Sequence, residues 1–157
     1  MSWRPPPFIH ATALLVGEAG VLIQGASGSG KSALALACID AARRAGRFAA
    51  LVGDDRLRLS ARHGRLVASG NPDIAGKIER RGLAVEPATL CSPAVLRIAV
   101  SLVSDAALAA KLPRLPWIDA NLTEIEGVCL PFLQIDARRD RSDQAALVFA
   151  ALAAAAP

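Results

Sequence analysis

These 157 residues contain no tyrosine, only two tryptophans and four phenylalanines, and a single methionine. So few rings leave no platform for stacking bases, and Trp3 and Trp117 stand alone, which argues against nucleic acid as the partner. Cysteine is also scarce. Cys38, Cys91 and Cys129 are far apart and form no C-x-x-C pair, so buried free thiols are expected and a metal site built on them is not. No apolar run reaches the roughly 18 residues of a membrane span, and the alanine-rich "QAALVFAALAAAAP" is expected to pack as a terminal helix. The opening "MSWRPPPFIH" has neither the basic start nor the apolar centre of a secretory leader, so the expected location is cytoplasmic, away from membranes.

Hydrophobic residues make up 53% and charged residues 20%, the balance of a globular chain with a real core. The length suits one domain spanning residues 1–157 and is too short for two of ordinary size. The net charge is +4, with arginine outnumbering lysine. Arg43-Arg44, Arg80-Arg81 and Arg138-Arg139 are scattered and without interleaved aromatics, a distribution better suited to an acidic protein or a polyphosphate than to a nucleic acid.

The most informative stretch is "VLIQGASGSGKSALALACID". Gly25, Ala26, Ser27, Gly28, Ser29, Gly30, Lys31 and Ser32 fit G-x-x-x-x-G-K-[ST] without a mismatch. The context agrees: a β-branched apolar run precedes it, and a Gly- and Pro-free, Ala/Leu-rich segment follows, ending at Gly46. Glycines let successive N–H groups turn inward on one anion, and the following helix N-terminus adds positive potential. Lys31 supplies a full charge to terminal phosphates, and the Ser32 hydroxyl is placed for Mg²⁺. A plain glycine turn leaves the Lys-Ser pair unexplained.

Around this unit the pattern predicts a first strand over Phe8–Val16, a turn at Gly17–Gly20, and the P-loop strand pairing back as a hairpin. A helix is expected from Lys31 to about Ala45, then a strand in "RFAALVGDD" and a hairpin around His63-Gly64. "NPDIAGKIERRGLAVEP" reads as loop, "AVLRIAVSLV" as strand and "DAALAAKL" as a short helix. "LPFLQID" reads as the last strand, before a terminal helix from about Ser142. Hairpins on both sides of the P-loop unit imply an α/β fold with a mixed sheet and flanking helices.

Asp54 and Asp55 follow the strand after the P-loop helix, where ligands of open α/β sheets lie. One carboxylate near a metal and one near an acceptor hydroxyl would meet the needs of phosphoryl transfer, whereas a single Asp would read as a turn. Taken alone, Glu79 reads as a solvated acid, His10 as a surface or capping histidine, and His63 as structural.

In order, His10, "GVLIQGASGSGKSALAL", "LVGDD" and "IAGKIERRGLAV" resemble the HPr kinase/phosphorylase family in its short form, the catalytic domain alone. "ERRGL" is similar to that family's most specific signature, and "KLPRLP" followed by "LPFLQID" to its closing part. The resemblance implies a P-loop fold of the HPr kinase and phosphoenolpyruvate carboxykinase type. It implies a kinase acting on a serine of HPr, the phosphocarrier of the sugar phosphotransferase system. ATP or pyrophosphate would be the donor, Mg²⁺ the metal, phosphorolysis the reverse reaction, and a homo-oligomer the assembly. By the same resemblance Lys31 polarises the transferred group, Ser32 and Glu79 hold Mg²⁺, Asp55 is the base with Asp54 supporting it, His10 assists, and Arg114 is the later catalytic arginine. Two departures stand out. Ala33 occupies the position where larger members have glutamate, and "IDARRDRSD" replaces their Pro-Gly-Arg segment. A small-molecule kinase and a nucleotide-dependent switch are the competing readings. The first usually carries an arginine-bearing helical lid, for which no long segment is visible.

Overall fold

The computed structural model describes residues 4–70, 77–80, 84–87, 91–112 and 121–155, with 77–80 and 84–87 as backbone. The chain opens with β1 (Thr12–Val16) and β2 (Ala19–Gly25), then helix α1 (Lys31–Arg44), β3 (Ala49–Gly53), β4 (Leu57–Arg62) and β5 (Arg65–Gly70). There follow β6 (Lys77–Arg80), β7 (Ala84–Pro87), β8 (Ala94–Val103), a one-turn α2 (Ala106–Ala109), β9 (Leu122–Ile125), β10 (Val128–Asp136) and α3 (Arg141–Ala155).

The main sheet runs β3-β1-β2-β8-β10-β9, with β5 also on β8 and β4 on β5. β2, β8 and β10 are parallel, while the β1–β2, β1–β3 and β9–β10 pairs are antiparallel. The mixed sheet expected from the hairpins is present. Because β2 and β8 are covered on both faces, they read as near-continuous apolar runs, and successive residues feed opposite layers. Ile23, Ile98 and Val100 meet Leu34 and Ile39 of α1 and Val148 of α3 on one face. Leu22, Leu96 and Ala99 meet Leu57, Leu59 and Leu66 of the β4–β5 hairpin on the other.

Three segments differ from the sequence expectation. The first strand begins at Thr12. Ile9 makes only an isolated bridge to Leu57, and the chain bends at His10 before joining the ladder. "NPDIAGKIERRGLAVEP" contains a two-stranded hairpin, with Lys77 opposite Pro87 and Arg80 opposite Ala84; backbone pairing outweighs the flanking Pro and Gly signals. β9 was not expected. Its turn, Glu126-Gly127, has positive φ at both residues (51° and 77°), the two-residue hairpin geometry that favours glycine in second place.

Candidate active site

The P-loop bridges β2 and α1. Gly28 and Gly30 have φ of 79° and 101°, values a side chain would strain, and Gly30 accepts from Leu34 N at 2.9 Å to start the helix. Lys31 is 6% exposed, and its ammonium donates to Gly25 O at 3.0 Å and Ala26 O at 3.2 Å. No carboxylate among the described residues pairs with this buried cation. Ser29 Oγ is likewise buried without a hydrogen-bond partner. A buried positive charge and an orphaned hydroxyl at the start of a helix are what a polyphosphate would satisfy.

The two acids after β3 occupy different environments. Asp54 is half-buried and accepts from Ser32 Oγ at 2.7 and 2.9 Å and from Thr12 Oγ1 at 2.7 Å. Asp55 turns away with φ of 69°, an uncommon left-handed conformation for a residue with a side chain. Its carboxylate lies 2.9 Å from His10 Nδ1, with the two side chains 61% and 52% exposed. The bridge from Ile9 to Leu57 (N–O distances of 2.7 and 3.0 Å) holds His10 beside Asp55. Phe8, under the guanidiniums of Arg58 and Arg56 at 4.0 and 4.8 Å, pins the same segment to β4.

Ser32 Oγ and the Asp54 carboxylate are hard oxygen donors meeting at the helix start, and they fit Mg²⁺. Among the described residues no cluster of three or more His, Cys, Asp or Glu is placed to hold a metal ion. Glu79 falls in β6, whose backbone runs beside α1; its side chain lies outside the described structure, as does Arg114 altogether.

Sequence reasoning missed three residues. Thr12, fully buried, looks like any strand threonine and carried no signal. Arg141 reaches from the start of α3 onto the P-loop, where a Cβ at Gly30 would fall on its guanidinium. Gln144, fully buried, accepts from Arg141 Nη1 and donates to Asp136 O, Ala137 O and Arg139 O at 3.3, 3.3 and 3.1 Å. A signal was available for Arg141: the helix dipole disfavours a cation in a first turn, so its placement there needed another reason. Arg138, in contrast, is absorbed locally. It binds the Asp136 carboxylate through Nε and Nη2, both at 3.1 Å, and through its backbone N at 2.9 Å, which holds that carboxyl below its ordinary range.

Sheet, loop and helix thus define a P-loop protein of mixed α/β architecture. No protein-family model and no curated protein matches the sequence at a significant level. Among solved structures the fold is similar to the Hpr(Ser) kinase/phosphatase from Coxiella burnetii. The TM-score is 0.72 at 25% identity, over 91% of this chain and 94% of that one. That likeness agrees with the resemblance to the HPr kinase/phosphorylase family carried by the order of the sequence motifs. Among the described residues no helix is long and apolar enough to cross a membrane.

Proposed function

We propose that the chain is a single-domain, ATP-dependent protein-serine kinase, with Mg²⁺ as cofactor and HPr as substrate. The observation that carries this reading is the division of labour between neighbouring acids: Asp54 tied to the P-loop serine, Asp55 exposed beside His10. An acceptor on a folded protein can reach only an exposed base, and Asp55 meets that requirement better than a deep metabolite pocket would.

In this reading the acceptor serine oxygen attacks the γ-phosphorus, its proton passes to Asp55 Oδ, and the bond to the β-phosphate oxygen breaks to leave ADP. His10 orients the Asp55 carboxylate. Lys31 leaves its loop carbonyls for the terminal phosphates, and Arg141 meets charge from the α3 side. Ser32 and Asp54 would hold Mg²⁺, which offsets phosphate charge. The roles of Glu79 as a further metal ligand and of Arg114 as a second arginine remain proposals from the family resemblance, as do homo-oligomerisation, pyrophosphate use and phosphorolysis.

The test is phosphoryl transfer from labelled ATP with Mg²⁺ to HPr, beside HPr lacking its acceptor serine. Label confined to intact HPr supports the reading. Nucleotide binding without label on either protein would shift it to a small-molecule kinase or a nucleotide switch.

A further inference from the structure

At the opposite end of β2 from the P-loop, a cleft of about 370 Å³ opens between the β1–β2 turn and the C-terminal half of α3. Leu152, Ala153 and Phe149 form its apolar wall, and Arg47 and Arg97 are its cations. Each arginine is placed there by a departure from regular backbone. Arg97 is the extra residue of a β-bulge in the parallel β2–β8 pair: Gly20 is opposite Leu96 and Val21 opposite Ile98, so Arg97 has no partner across the ladder. Bulges in parallel pairs are rare, and they re-aim a side chain. Gly20 accommodates this one, since a Cβ there would stand 2.5 Å from Val95 O.

Arg47 follows the helix-ending Gly46 (φ 74°), and its backbone N returns to Ala42 O at 2.9 Å. The next residue is tied to the β1–β2 turn through Gly17 N and Phe48 O at 2.8 Å. The Arg47 guanidinium lies 6.0 Å from the centre of the Phe149 ring. Among the described residues neither Arg47 nor Arg97 has an ion-pair or side-chain hydrogen-bond partner. Glu18, also lining the cleft, lies beyond ion-pair distance of both.

We infer that this cleft binds a small organic anion, its charged head between Arg47 and Arg97 and its hydrocarbon body against Leu152 and Phe149. Guanidinium groups suit planar or tetrahedral oxyanions, and an apolar wall with a few placed charges is the usual make-up of a small-molecule site. The cleft is independent of the phosphoryl-transfer reading: roughly 20 Å of strand separates it from the P-loop, at about 3.3 Å per residue.

The probe is 1-naphthyl phosphate, titrated into the intact protein while backbone amide shifts are followed by NMR. Saturable shifts are expected at Gly17, Ala19 and Leu152, resolved from any at Gly28 and Gly30. Affinity should fall about tenfold or more in Arg97→Ala and in Arg47→Ala, each an exposed position outside the core, as for loss of a charged hydrogen bond. Inorganic phosphate alone and 1-naphthol alone should each bind more weakly than the joined molecule. Shifts confined to the P-loop, or affinity unchanged in both variants, would overturn the inference.

Discussion

Asp54 and Asp55 are adjacent, chemically identical, and surrounded by different partners. Asp54 shares its oxygens between two hydroxyls, one of them that of the P-loop serine. Asp54→Asn should weaken Mg²⁺-dependent nucleotide binding by about tenfold, read by titration with and without the metal. Asp55 is free of the loop, and Asp55→Asn should leave nucleotide binding intact while lowering transfer about 10²-fold or more. Equal transfer by Asp55→Asn and the parent would remove that residue from the base role. Arg141→Ala should raise the KM for ATP with the fold unchanged, because Gln144 keeps its three carbonyl bonds without it. The residue scale is also where the sequence was least legible. A side chain delivered from more than a hundred positions away, as Arg141 is to Gly30, leaves no local pattern.

Elements were more legible, because their causes are local. Hairpins with glycine in a two-residue turn, the P-loop helix and its Gly46 stop follow from short-range sterics, and the structure has them. The β6–β7 hairpin and β9 escaped for the opposite reasons: one is flanked by turn residues that mask pairing, the other is four residues long with its apolar residues exposed or half-exposed. On α1, Cys38 is fully buried among apolar neighbours, and burial pushes its thiol up to about 12 from 9.0. The folded state therefore favours the protonated thiol. That contribution is complete below about pH 9, the unfolded value, and is lost as pH rises towards 12. Unfolding midpoints should decline over that window in the parent and less so in Cys38→Ala. At pH 8 a thiol reagent should modify exposed Cys129 while leaving Cys38 intact until the protein unfolds.

At the scale of the molecule, one sheet separates two apolar layers whose residues alternate along the same strands. Leu22 faces the hairpin layer and Ile23 the helical layer, both fully buried. Truncating either to alanine should cost about 2–5 kcal/mol. If the chain is one domain, both losses will appear in a single denaturant transition; two separable transitions would contradict that. The mixed architecture was legible because strands covered on both faces are apolar throughout, and hairpins imply antiparallel neighbours. Which strands neighbour β8 was not, since crossovers leave no mark in composition.

Gln144 ties the end of β10 to the first turn of α3 by donating to the carbonyls of Asp136, Ala137 and Arg139. The spacing between Asp136 and Arg141 is thereby counted to the residue. Lengthening it by one would rotate the helix start by about 100° and swing Arg141 off the P-loop. The tips at His63-Gly64 and Glu126-Gly127 hold no such tally, and added residues there should be absorbed with the site intact. The chain's tolerance of insertions is thus sharply uneven, and a short surface connection is among the segments that forgive little.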